Sequence, residues 1–360
     1  MTPVLDTSRT YAIALEGGGA RGAYEIGVWR ALDEAGIRYN AVSGTSVGAL
    51  NGAMFAMGDR AVAENVWKNI TMADVINAGK LSDAELKDLV AGNIDFTNIR
   101  QYLPALADVL RHRGLDASPL RRWIDEVIDF DAIAHNGCDL YITTLDVSGL
   151  KPLQIRINDL PAKEIGDMLF ASAFHPAFRP ERLGGRLYAD GGFFDSTPIY
   201  PLIQAGHKDI IAVHLPTVGV TRPVRIPDDV TVTSIRTTED LGNVLNFDAE
   251  QSRKNIEIGY YDALRVICGL GGKRFCVERT FTERRALDEL ITLLHTPDRT
   301  LRQVIDEDIP ATARRCAAGR GADFYTIFLA ALEERADALG LPRLRVVTDA
   351  QLLTEVKAGG

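Results

Sequence analysis

Ser46 sits in the run Val42-Ser43-Gly44-Thr45-Ser46-Val47-Gly48, with a glycine two residues to either side. Gly44-x-Ser46-x-Gly48 is the spacing of a nucleophile elbow. A serine on a sharp turn between strand and helix is pushed out above the sheet edge, and a Cβ at either glycine would crowd that turn. Acyl transfer through such a serine needs a base to take its proton, N–H donors for the oxyanion, and a pocket for the acyl group. The plainer role for Ser46 is a helix cap.

Donors for an oxyanion are offered by Gly17-Gly18-Gly19-Ala20-Arg21-Gly22. Consecutive glycines let backbone N–H groups converge on an anion without side-chain obstruction. The same loop contains Gly17-x-Gly19-x-x-Gly22, a dinucleotide fingerprint, which also requires an acidic residue at the end of the second strand. Here that strand runs into the serine instead, and Asp33 and Glu34 fall within the preceding helix, so the oxyanion role is favoured. Arg21 suits either a substrate phosphate or an ion pair that orders the loop.

Two residue types compete for the base. The histidines are His112, His135, His175, His207, His214 and His295. None stands in a recognisable triad order; His214 falls in a buried strand pattern, and His175, before Pro176 in a loop, is the one worth testing. Asp190 ends a strand and is followed by Gly191-Gly192, which places a carboxylate at the strand end where α/β sites form. An aspartate before glycine also commonly bonds its own backbone in a turn.

These residues need elements to hold them. Residues 11–15 form a short apolar strand without alternation, as expected of a strand covered on both faces. A helix over 23–35, closed by Gly36, leads to a strand at 39–42 and, past the serine, to a helix apolar nearly all round. This βαβα order implies a parallel sheet. Helices are expected over 61–70, 82–90 and 103–113, with a mobile lid or plain packing for 72–117, and Ser118 caps a further helix with Pro119 at its first position. Strands follow at 140–147, 153–157, 186–189, 209–215 and 230–235, with helices at 163–174, 198–205 and 249–264. Past the break at 269–272 come charged helices over 282–294, 298–306 and 322–339, and 344–347 reads as a strand that could extend the sheet.

The 360-residue chain is 46% hydrophobic and 25% charged, enough for a large core. A net charge of −9 disfavours nucleic-acid binding. Cys138, Cys268, Cys276 and Cys316 lack metal-ligand spacing and read as free thiols. Residues 1–10 hold no apolar signal core and no run of 18 apolar residues occurs, so a cytoplasmic location is expected.

Taken in order, Glu16-Gly17-Gly18-Gly19-Ala20-Arg21-Gly22, Gly44-Thr45-Ser46-Val47-Gly48 and Asp190-Gly191-Gly192 resemble the motifs of the patatin-like phospholipase family. So do Ala171-Ser172-Ala173-Phe174-His175-Pro176-Ala177-Phe178 and Gly259-Tyr260-Tyr261-Asp262-Ala263. One departure is Glu16, where many members carry aspartate. The resemblance implies a three-layer α/β/α sandwich with a mostly parallel sheet. The glycine break at 269–272 marks the boundary between a catalytic domain over 8–268 and a largely helical extension over 269–360. The resemblance further implies a calcium-independent lipid acyl hydrolase without cofactor or metal: Ser46 as nucleophile, Asp190 as proton acceptor, Gly17, Gly18, Gly19, Arg21 and Gly22 around the oxyanion. Phospholipid or another acyl lipid is the implied substrate, met by peripheral membrane contact; a homo-oligomer is compatible with it. The alternatives are a Ser-His-Asp esterase of small acyl esters built on His175, and a catalytically silent lipid- or nucleotide-binding module.

Overall fold

The computed structural model describes residues 2–77, 114–216, 219–315 and 322–359. The helices expected over 82–90 and 103–113, most of the lid expected over 72–117, and Cys316 lie outside the described residues. The chain divides into two compact units, one of Leu5–Ala263 and one of Leu264–Gly360 with Met1–Val4.

The first unit is built on a sheet whose strands are β1 (Thr10–Leu15), β2 (Arg38–Thr45), β3 (Asp139–Asp146), β4 (Lys151–Arg156), β5 (Arg182–Leu183), β6 (Arg186–Asp190), β7 (Asp209–His214) and β8 (Thr231–Arg236). Their order is β5-β6-β3-β2-β1-β7-β8, with β4 also on β3. β3, β2, β1, β7 and β8 are parallel; β4, β5 and β6 run against their neighbours. Alternate residues of β1 serve opposite faces. Ala12 and Ala14 join Ala41, Ile210 and Ala212 beneath Leu202, Ile199 and Ile203 of the short helix Ile199–Gln204. Leu15, with Val42 and Leu140, faces the helix α2 (Val47–Met57) at Gly52. Helices on both faces make the three-layer sandwich that the family resemblance implies.

Further helices are α1 (Ala23–Glu34), α3 (Arg60–Asn69), α4 (Ser118–Val127), α5 (Phe130–His135), α6 (Ala162–Ser172), α7 (Ile199–Gln204) and α8 (Ala249–Ile267). Gly36 ends the first helical stretch at φ 71° and Gly58 ends α2 at φ 76°, the left-handed stop that glycine permits. Ser118 is the first residue of α4, not its cap: Asp116 Oδ1 takes the Ser118 N–H at 3.0 Å, so the turn chemistry sits two residues earlier than expected.

The second unit packs the helices Glu283–Leu294, Phe324–Ala338 and Asp349–Gly359 around Phe275, Val277, Phe328 and Leu332. The strand expected near its end is Val346–Thr348. It pairs in parallel with Cys276–Glu278 in a separate two-stranded sheet and does not extend the large one. The helix expected over 298–306 is a single turn, Leu301–Gln303, capped reciprocally by Thr300 and Gln303, that widens into a π-helical stretch, Val304–Asp308. Among the described residues no helix is long and apolar enough to cross a membrane.

Candidate active site

The approach of Ser46 to Asp190 follows from how β3 is shared. β2 pairs with the first part of β3, ending Thr45↔Thr143, and β6 pairs with the last part, ending Thr144↔Asp190. β4 pairs along Tyr141 to Asp146 and therefore holds the other edge of β3 throughout. So β2 and β6 lie end to end on one edge, pointing at each other, with their last residues opposite consecutive threonines. The serine turn leaves one strand where the aspartate ends the other.

Ser46 has φ 55° and ψ −125°. Among the described residues only Ser46 and Leu150 combine a side chain with positive φ; such a conformation costs about 1–3 kcal/mol and persists only where surroundings impose it. The surroundings are tight. A Cβ at Gly44 would lie 2.0 Å from the Gly48 carbonyl oxygen, and one at Gly48 would lie 2.5 Å from the Leu15 oxygen. The Ser46 N–H donates to Ser172 Oγ at 3.0 Å, and Ser172 in turn donates to the Thr143 carbonyl at 2.7 Å. Ser172 lies in a stretch quoted above for its family resemblance, but its support of the elbow backbone needed coordinates to see. As the first residue beyond the turn, Val47 opens α2, whose positive end faces the serine.

The Ser46 side chain lies beside the Asp190 carboxylate and lowers its proton affinity, and Asp190 Oδ1 accepts the Gly192 N–H at 2.8 Å. The turn role and the partnership with serine thus coexist. Burial pushes the Asp190 carboxyl up to about 6, against the lowering by Ser46 and Gly192. Asp195 is raised to about 6 as well, chiefly by burial, but its neighbours are Gln154 and Arg222. Asp190 borders the cavity beside Ser46; Asp195 does not.

That cavity has a volume of about 320 Å³, at the small end for ligand pockets. Ser46, Asp190, Gly17, Gly18 and Gly19 border it, and the remaining wall is mostly apolar, with Leu50, Trp67, Ile70, Trp123, Phe178 and Phe247. Phe193 and Val220 border it while more than half exposed, at 56% and 52%.

The loop of glycines separates into used and available donors. Gly17 N–H donates to the Ser196 carbonyl (3.0 Å), Ala20 N–H to Val244 (2.7 Å) and Arg21 N–H to Gly18 (3.2 Å). Gly18 and Gly19 border the cavity with no such bond from their N–H groups among the described residues. Gly19 has φ 55°, and a Cβ there would meet the Val244 oxygen at 2.1 Å. Of the oxyanion set read from sequence, Arg21 and Gly22 fall outside the cavity wall. Arg21 points its Nε at the Gly242 carbonyl, 2.8 Å away, so among the described residues it orders the loop through a backbone oxygen and not through an ion pair.

His175 also borders the cavity, yet its Nδ1 accepts the Ala177 N–H at 3.2 Å and its ring lies edge-on to Phe178. Burial lowers its pKa. Among the described residues no hydrogen bond joins it to Ser46 or to a carboxylate, so a Ser-His-Asp relay is not assembled. His214 sits 3.4 Å from Glu16 and 3.3 Å from Ser234, off the cavity. No group of three or more metal-ligating side chains occurs among the described residues.

The family model described as patatin-like phospholipase matches residues 13–203, more than half of the chain. Lysophospholipase NTE1 of Cryptococcus neoformans is 26% identical over 220 residues, which are 61% of this chain and 12% of that protein. Patatin-like phospholipase domain-containing protein 6 of Mus musculus is 52% identical over 50 residues, 14% of this chain and 4% of that protein. This chain therefore spans a small part of the length of the curated relatives it matches. The crystal structure of VipD from Legionella pneumophila aligns with 95% of this chain and 82% of its own, at 15% identity and a TM-score of 0.40.

Proposed function

The chain belongs to the patatin-like phospholipase family, and on that premise we propose that it is a lipid acyl hydrolase working through a Ser46–Asp190 dyad. Ser46 Oγ attacks the ester carbonyl while its proton passes to Asp190. The carbonyl oxygen becomes an oxyanion held by the N–H groups of Gly18 and Gly19, at the positive end of α2. The tetrahedral intermediate collapses, the C–O bond to the alcohol breaks, and Asp190 returns the proton to the departing oxygen. Water then attacks acyl-Ser46 with Asp190 again as base, releasing the fatty acid.

The observation that carries this reading is the Ser46 side chain beside a buried Asp190 in one apolar cavity, with the Gly18 and Gly19 N–H groups bonded to no other group among the described residues. An ordinary aspartate is a weak base for an alcohol; burial that raises Asp190 to about 6 makes it a stronger one. A cavity of about 320 Å³ suits a single acyl chain, with the head group outside. Exposed Phe193 and Val220 at its border favour contact with a lipid surface. No metal takes part, so EDTA is expected to leave the rate unchanged.

A fluorophosphonate probe tests the reading. Expected is one adduct, mapped to Ser46 by mass spectrometry, absent in Ser46→Ala and slower in Asp190→Asn. A folded wild-type protein that takes no adduct would overturn the dyad. Retained hydrolysis in Ser46→Ala with loss in His175→Ala would point to a different nucleophile and base.

A further inference from the structure

The apolar run of α2 is interrupted at Asn51, which is fully buried on the wall of the cavity. A buried amide has to satisfy two N–H donors and a carbonyl oxygen. Asn51 does so with three different elements. Its Nδ2 donates to the Gly22 carbonyl at 2.9 Å and to Glu25 Oε2 at 2.7 Å, and its Oδ1 accepts the Trp67 indole N–H at 2.8 Å. Indole N–H can only donate, so Trp67 dictates which end of the amide is oxygen.

These partners matter because Gly22 closes the glycine loop. On the opposite side the loop is fixed by Ala20 N–H on Val244 and Arg21 Nε on Gly242. On this side its fastening is Asn51, five residues beyond Ser46 on a continuous helix. One amide therefore ties the end of the donor loop to the helix that carries the nucleophile. Glu25 behind it is completely buried, and burial holds its carboxyl well above the ordinary range.

We propose that Asn51 is a positioning residue for acyl transfer, setting the distance and direction of the Gly18 and Gly19 N–H groups relative to Ser46. The proposal rests on the reading of that loop as the oxyanion hole. Misplacement of such donors by a fraction of an ångström lowers the rate of the charged step while leaving the apolar wall to bind as before.

The test uses the full chain and the saturation kinetics of Ser46 phosphonylation by a fluorophosphonate, which develops negative charge on the phosphoryl oxygen. Final adduct stoichiometry corrects for any inactive fraction. In Asn51→Ala the maximal rate is expected to fall about 10–100-fold, with half-saturation within about threefold and the acidic limb of the pH profile unmoved. Glu25→Gln keeps an oxygen for Asn51 Nδ2 and should react within about threefold of wild type, whereas Glu25→Ala should fall with Asn51→Ala. If Asn51→Ala does not fold, Trp67→Phe removes the indole donor and keeps an aromatic wall; a drop of about threefold or more in maximal rate is expected. A maximal rate per reactive site within threefold of wild type in Asn51→Ala, or an unchanged rate in Trp67→Phe where Asn51→Ala cannot be made, overturns the proposal. Absence of a wild-type adduct instead overturns the dyad beneath it, so the two failures read differently.

Discussion

Asp190 in the sheet unit and Asp349 in the second unit are both buried carboxyl groups, and their surroundings treat them in opposite ways. At Asp190, with Ser46 beside it and one backbone N–H bonded to it, burial prevails and lifts the carboxyl to about 6. In the second unit, burial also works to raise Asp349, but it is outweighed: Thr280 donates through N–H and hydroxyl, and Phe281 and Ala350 through N–H, so the carboxyl lies below its ordinary value. Glu333 is also rich in donors, accepting the N–H groups of Lys273, Arg274 and Phe275. The backbone differs likewise: the sheet unit forces Ser46 to positive φ at its working edge, while no non-glycine residue described in the second unit has positive φ. A carboxylate saturated with donors is a fastening. One left short of them keeps its affinity for a proton, which a base needs.

The sharpest way to break this comparison is Ser46→Ala. Hydrolysis and probe labelling should fall by about 10⁴-fold or more, with thermal stability nearly unchanged, as measured by labelling and calorimetry. Asp190→Asn should lower kcat by about 10³-fold or more and at the same time stabilise the protein. A carboxyl raised from its ordinary value to about 6 costs up to about 3 kcal/mol in its charged form, and the amide removes that cost. Urea denaturation at pH 8 checks it; a destabilised Asp190→Asn would mean that the carboxylate is a fastening after all. Glu333→Ala is the converse. It removes the acceptor of three N–H groups, of which that of Phe275 is buried, and should destabilise by about 1–3 kcal/mol, with kcat per labelled Ser46 within about twofold of wild type.

The smallest effect is in pH. Catalysis requires ionised Asp190, so kcat/KM should fall tenfold per unit below an apparent pKa near 6. The stability signs oppose each other. The folded value of Asp190 is raised, so its stabilising contribution is complete below the unfolded value near 4 and is lost as pH rises through about 6. For Asp349 the folded value is depressed; its contribution is present above the unfolded value and lost as pH falls through the folded one. Hydrogen exchange at about pH 2.5 and at about pH 7 should therefore show protection falling on acidification around Thr280 and Phe281 and not around Ser46.

Much of the site was legible because it is local. Gly44, Ser46 and Gly48 act within one turn, and the strand before and the apolar helix after follow from hydrophobic period and a glycine stop. The glycine loop was legible for the same reason, though sequence could not tell which N–H groups point at the cavity. The accounting of Gly17, Ala20 and Arg21 against Ser196, Val244 and Gly18 depends on residues distant in the chain. Asn51 left a signal, a lone amide in an apolar helix, but its partners Gly22, Glu25 and Trp67 come from other elements. In the second unit the helices were readable and the pairing of 346–348 was not, since a three-residue strand can serve either of two sheets.

The amino-acid order by itself determined the elbow, the donor loop and the alternation of strand and helix, because these are set by sterics and burial within a few residues. The tertiary structure decided that Asp190 lies beside Ser46 on one cavity wall. That choice depends on β6 meeting β2 head to head along β3, and on the burial this creates, and no spacing along the chain encodes either.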